Sequence, residues 1–305
     1  MVFSLIVPLF VVIALGYVLK KTKFLPRSFA GDLNKLIYFI GLPALLFQKT
    51  SQIDFSGYSF GSVSAGYPIV VVVTALLTLP VSILVRKESR GAVIQAAYRA
   101  NLAYMGFPIV VSALGDGIAA LAAMIVGVGN VINSVLAVII LRMLGPEGES
   151  DSVWRKLVQT VANPLIIATV LGLLSSAVGL RLPSTVNNAI GLVAGMSLPA
   201  ILVVIGMSLS FTEMRAYAWP ASLASGFKLV VMPLFAYYFM SVVFGMGGKE
   251  LGVIVVMAAM PTAVAAQSFA AGFKADEKVT ASAISLNTVL SAVTLPLWLY
   301  ILGWG

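Results

Sequence analysis

What this chain can fold into is set first by a recurrence of long apolar runs. A helix needs about 20 predominantly apolar residues to cross the hydrocarbon core of a bilayer. Ten segments reach or approach that length: roughly 3–20, 30–48, 62–85, 92–114, 118–141, 157–180, 186–210, 219–244, 250–272 and 279–302. Composition agrees, with 60% hydrophobic residues, 10% charged residues and a mean hydropathy of +1.04, where a soluble domain has about 45–50% apolar and about 25% charged residues. The expected fold is an all-α integral membrane protein with ten transmembrane helices. Its connections are short and leave no room for a soluble domain. The longest is the polar stretch Leu144–Ser152. The first run lacks a charged n-region and a small-residue cleavage site, so it reads as a mature span rather than a removable signal peptide.

The inventory of reactive side chains removes several function classes. With no cysteine and no histidine, disulfides, thiolate chemistry, imidazole metal sites and Ser-His or Cys-His catalysis are excluded. Aspartate-rich metal motifs and phosphate-cradling glycine loops are also missing. The expectation is a protein that is not an enzyme and uses no cofactor and no metal. A net charge of +8 and a pI near 9.7 would point a soluble protein toward nucleic acid. In a membrane protein the basic loops report orientation instead, and no nucleic-acid partner is expected. The connections after runs one, three, five, seven and nine hold thirteen Lys and Arg, against three (Lys49, Arg181, Lys249) on the opposite side. This places both termini outside the cell, the central linker in the cytoplasm and the chain, multi-pass, in the cell membrane.

Five spans on each side of the linker force the second half to enter from the opposite face, the inverted topology of many secondary transporters. The halves are 1–143 and 157–305, joined by a cytoplasmic linker over 144–156. Two pairs of motifs fall in register. Gly41-Leu42-Pro43-Ala44-Leu45-Leu46 in the second run answers Ser197-Leu198-Pro199-Ala200-Ile201-Leu202 in the seventh. The stretch from Asn101 to Pro108 in the fourth answers Ala258-Ala259-Met260-Pro261-Thr262 in the ninth. Breaks at corresponding spans of two halves are the sequence pointer to a transporter's binding site.

The fourth run carries the densest chemistry. Arg99 near mid-membrane costs about 2.5–3.5 kcal/mol on insertion scales, which marks it as a functional candidate. Pro108 removes a backbone donor and frees the carbonyl of Tyr104. Asn101 beside this break, and Pro261 with Thr262 in the ninth run, are candidate substrate-binding residues. Gln267 and Ser268 lie up to two turns beyond the second break, and Asn287 lies in the last run; such amides and hydroxyls also serve as packing contacts between helices. Asn130 and Asn133 share a helix face in a Gly- and Ala-rich run, where close packing competes with a place on the solute path. Lys228 sits about 13 Å deep at 1.5 Å per residue, and either snorkels outward or meets an anionic solute. Asp32 and Lys35 are spaced to pair with each other at an interface. Deep within the runs there is no carboxylate, which argues against a buried-carboxylate antiport mechanism and tilts the cargo toward an anion.

Together, Arg99-Ala100-Asn101 with Met105-Gly106-Phe107-Pro108, the run from Asn34-Lys35 to Leu42-Pro43-Ala44-Leu45-Leu46-Phe47, and Ala258-Ala259-Met260-Pro261-Thr262 resemble the auxin efflux carrier family, prokaryotic type. The resemblance covers essentially the whole chain. It implies a five-plus-five inverted repeat similar to bile-acid symporters and sodium/proton antiporters, with helices four and nine broken and crossing at the substrate. It implies a scaffold of spans one, two, six and seven, which also forms a homodimer, and a moving crossover domain of spans three to five and eight to ten. It carries Asn101, Pro108 and Pro261 over as crossover positions. The long cytoplasmic loop of plant members is reduced here to Gly145–Ser152. The expected function is elevator-type secondary transport of a small organic anion, a carboxylate such as malonate or malate or an auxin-like acid. The alternatives are a sodium-coupled symporter of the bile-acid type and a receptor that binds without flux.

Overall fold

The computed structural model describes residues 2–26, 28–52, 60–144 and 163–304. Their regular structure is helical, and the β contact within them is an isolated antiparallel bridge between Ala100 and Thr262. Helix α1 spans Val2–Thr22. Helix α2 (Phe29–Leu36) runs through a π-turn, Ile37–Gly41, into α3 (Leu42–Thr50). Helix α4 is Phe60–Val81 and α5 is Arg90–Tyr98; a second π-turn, Leu102–Gly106, leads into α6 (Phe107–Leu114), and α7 is Ala119–Leu144. In the second half α8 is Pro164–Ala177, α9 Ser184–Gly195, α10 Ser197–Ser208 and α11 Phe211–Ala216. Helix α12 (Ala218–Gly226) joins α13 (Met232–Val242) through a third π-turn, Phe227–Val231; α14 is Gly248–Ala259, α15 Ala266–Gly272 and α16 Glu277–Ile301.

Among the described residues, six helical stretches are individually long and apolar enough to cross a membrane: Phe29–Thr50, Gly61–Leu84, Ala119–Leu144, Ser184–Ser208, Ala218–Val242 and Glu277–Ile301. The fourth and ninth runs are each divided in two, as the polar breaks predict. The linker expected over 144–156 lies, from Gly145 on, outside the described residues, as does the start of the sixth run.

All three π-turns have one cause. Each runs directly into a helix whose first turn holds a proline: Pro43, Pro108 and Pro233. A proline cannot donate to the carbonyl four residues back, and its ring crowds that carbonyl. The turn widens by one residue, so that the next N–H reaches back five: Leu42 to Ile37, Phe107 to Leu102 and Met232 to Phe227. Such π-bulges inside helices are a known source of kinks. At Pro233 the freed carbonyl of Leu229 is taken by the indole N–H of Trp298 at 2.9 Å.

Packing sorts the helices into two groups. Helix α1 lies along α10, while α3 lies along α8 and α9. Backbone meets backbone at α1 and α10: a Cβ on Gly16 would fall on the Val203 carbonyl, and one on Gly206 on the Ile13 carbonyl. Small residues that let backbones touch are the usual means of helix association where lipid removes the hydrophobic drive. The other group packs α4, α5 and α7 together, α12 and α14 with α16, and α13 against α14 and α4. At its centre are α5 and α14. Every residue from Gly91 to Tyr98 and from Leu251 to Ala259 is buried, which is why both segments, Gln95 apart, are apolar all round rather than amphipathic.

Candidate functional site

Helices α5 and α14 end against each other, and their ends satisfy one another. A helix leaves its last carbonyls without intrahelical partners. At the end of α5 the Thr262 hydroxyl donates to Ala96 O at 2.7 Å, and Asn287 Nδ2 donates to that hydroxyl at 2.6 Å. At the end of α14 the buried Lys228 ammonium donates to Ala258 O. A cation there also meets the negative end of the helix dipole. Between these caps the two extended segments exchange main-chain bonds, Asn101 N to Pro261 O and Ala263 N to Arg99 O, each 2.9 Å. Gly106 permits the approach, because a Cβ there would lie 2.6 Å from Met257 Sδ.

Beside this crossing lies a cavity of about 250 Å³, below the roughly 300–1,000 Å³ typical of pockets for drug-sized ligands. Its lining combines Arg99, Asn101, Asn130 and Ser134 with the ring of Phe269 and, among the described residues, includes no carboxylate. Arg99 is only 4% exposed. Its guanidinium donates to Asn133 O at 3.0 Å and Ser134 Oγ at 3.5 Å and stacks over Phe269 at 4.1 Å. It has no carboxylate partner among the described residues, so its positive charge is fixed at the cavity wall. The lining also includes the start of the next helix at Leu102, Ala103 and Tyr104; Leu102 N donates to Ala100 O, and the positive end of the helix dipole there favours an anion.

The eight sequence candidates divide by position. Arg99, Asn101 and Asn130 line the cavity. Pro108, Pro261 and Thr262 do not; they form and hold the breaks. Lys228 is fully buried away from the cavity, neither snorkelling nor facing it. Gln267 is also outside, donating to Glu277 Oε2 at 3.3 Å, whereas its neighbour Ser268 lines the cavity. Asn133 contributes its carbonyl to Arg99 rather than its amide to the lining. Asp32 and Lys35 pair at 4.0 Å.

Sequence reasoning passed over Tyr38, Tyr104, Ser134, Asn163 and Phe269, all in the lining. Two had a legible signal. Ser134 is one turn beyond Asn130 on the same face, and Asn163 precedes Pro164 as an N-cap whose Oδ1 accepts from Leu165 N at 2.9 Å. Tyr104 donates to Asn34 Oδ1 at 2.9 Å across to α2. No cluster of His, Cys, Asp or Glu able to hold a metal occurs among the described residues.

Several apolar spans around a small polar cavity at paired helix breaks define a multi-pass membrane protein with a solute-sized site. The family model described as "Membrane transport protein" matches residues 1–154 and 150–299, and the chain belongs to that family, the auxin efflux carriers. It is 28% identical over 301 residues to an "Uncharacterized transporter" of Methanothermobacter thermautotrophicus, covering 96% of this chain and 95% of that one. It is 24% identical over 311 residues to a "Putative malonate transporter" of Rhizobium meliloti, covering 99% and 96%. The "Uncharacterized transporter YfdV" of Escherichia coli K12 is 22% identical over 307 residues, covering 97% and 96%.

Proposed function

We propose that this chain is a secondary carrier of a small organic anion, with a carboxylate as cargo, working by elevator-type alternating access. The observation that carries the reading is the cavity at the crossing, where the Arg99 guanidinium, the Asn101 and Asn130 amides and the turn starting at Leu102 surround a small space that no carboxylate of the described residues lines. The guanidinium would attract the carboxylate and the amides would orient it. The Rhizobium relative's name, which carries malonate, supports a short dicarboxylate.

The packing supports the five-plus-five inverted repeat. If span two corresponds to seven and span six to one, a contact of α3 with α8 requires an equivalent contact of α10 with α1. Both occur, each through a glycine (Gly172 and Gly206). Segments related by a two-fold axis also meet each other where they cross it. The paired motifs do so at Ala100 with Thr262 and at Gly41 with Ser197. On this reading α1, α2, α3 and α8 to α10 are the scaffold, through which two copies dimerise, and α4 to α7 with α12 to α16 are the moving domain. The Lys-rich ends face the cytoplasm and both termini face outward.

The test is uptake of labelled malonate into proteoliposomes. Wild type should show saturable flux, and Asn101→Ala should abolish it while keeping the wild-type melting temperature. Full transport by that variant removes Asn101 from the site, and saturable binding without flux favours a receptor. One observation favours sodium coupling as a second reading: the side-chain oxygens Gln95 Oε1 and Asn287 Oδ1 are buried in the crossover without hydrogen-bond partners. Flux independent of sodium would dismiss it.

A further inference from the structure

A second, larger cavity of about 710 Å³ lies between the C-terminal end of α1 and the corner joining α10 to α11, and its lining shares no residue with the cavity at the crossing. Lys20, Lys21 and Lys23 line it beside the hydroxyl residues Ser210 and Thr212, with no carboxylate among the described residues. Among the described residues the ion pair is that of Asp32 with Lys35, so these three lysines have no acidic partner. Lys20 donates to Leu209 O at 2.6 Å, which bridges α1 to the corner. Lys21 leans over the Tyr17 ring at 5.9 Å, and Lys23 is held in the left-handed backbone region at a φ of 55°. Three lysines around one cavity repel one another, and an anion seated there relieves that repulsion.

The setting names the anion's carrier. Val11, Leu15 and Val18 are each more than half exposed. Their spacing of four and three places them on one face of α1, so that face meets lipid tails. Lys20 to Lys23 follow within one turn, and Phe24, 76% exposed, comes next, so the cavity opens at headgroup depth. The rest of the lining is apolar, including Leu25, Pro26, Met207 and Phe211, surface that a free inorganic ion would leave unused and a glycerol backbone would cover. Basic pockets between transmembrane helices bind anionic lipid headgroups by this combination.

We propose that this cavity binds the phosphodiester headgroup of an anionic phospholipid, with Lys21 and Lys23 as its principal cations. The test compares purified protein in neutral detergent supplemented with phosphatidylglycerol, with phosphatidylcholine, or with inorganic phosphate. Phosphatidylglycerol should raise Tm by about 3 °C or more over phosphatidylcholine. The shift should vanish in Lys21→Gln/Lys23→Gln, which keeps the Lys20 bridge, and persist in Lys274→Gln/Lys278→Gln. Native mass spectrometry should find phosphatidylglycerol retained on wild type and lost from the first variant. Equal stabilisation by phosphatidylcholine, equal loss in both variants, or a full shift from phosphate alone would each overturn the lipid assignment. If the first variant does not fold, absence of a retained phosphatidylglycerol on wild type overturns it.

Discussion

Thr262 joins the two helix breaks through one hydroxyl, donating to α5 and accepting from α16. Thr262→Val keeps the shape and removes both bonds, leaving the Ala96 carbonyl and the Asn287 amide buried and unpaired, which costs about 1–3 kcal/mol for such a group. The melting temperature should fall by several degrees, and Thr262→Ser should recover most of it. An unchanged Tm for the valine variant would show that the hydroxyl does not hold the crossing. At this scale the sequence was informative where a residue conflicted with its surroundings. Arg99 and Asn101 are polar groups in an apolar run, and both reached the cavity wall. Lys228 stood out equally and went elsewhere, because a helix end buried in the protein interior needs a donor as much as a solute does. Tyr38 and Phe269 carried no such conflict, since an aromatic ring in a membrane helix is ordinary until its neighbours in space are known.

The two broken runs differ from ordinary membrane helices in how their prolines are used. Pro8, Pro68, Pro80 and Pro296 all lie inside helices that continue past them, so a proline alone did not predict a break. Pro108 and Pro261 stood out because a glycine or a small polar residue accompanies each. The π-turns before Pro43 and Pro233 were not foreseen, since the register of backbone bonds leaves no trace in side-chain periodicity. Pro108→Ala returns an N–H to the ladder and removes a residue about 3 kcal/mol less favourable than alanine within a helix. The variant should melt at or above the wild-type temperature yet transport more slowly, the trade expected where function needs an irregular backbone. Wild-type flux in a stabilised Pro108→Ala protein would show that the π-turn is not needed for transport.

For the whole molecule, the two packing groups meet where Ser210 N donates to Ser285 Oγ at 2.9 Å. The native chain has no cysteine, so engineered pairs can be read without background. An oxidised Ser210→Cys/Ser285→Cys bridge ties the proposed scaffold to the proposed moving domain and should stop flux, with recovery on reduction. A Gly41→Cys/Ser197→Cys bridge lies within the scaffold, where a Cβ on Gly41 would lie 3.6 Å from the Ser197 Cβ, a separation that suits a disulfide, and should leave flux intact. Undiminished transport through the first bridge would contradict rigid-body movement of one group against the other. The all-helical, membrane-spanning character of the chain was legible in hydropathy, and the interruptions of the fourth and ninth runs in their polar residues. The cavity was legible only in part, because its walls come from segments more than a hundred residues apart.

That separation shapes how the protein must be made. The Thr262 bond to Ala96 joins residues 166 positions apart, and the main-chain exchange between the two breaks spans a similar distance. When the chain through α7 has left the ribosome, the end of α5 has none of the partners that will close it. Its carbonyls must wait, solvated or loosely paired, until α14 and the segment carrying Thr262 are in place. The crossing is therefore assembled late, by the joining of two halves, and a chain cut at the linker should recover its fold when both halves are made together.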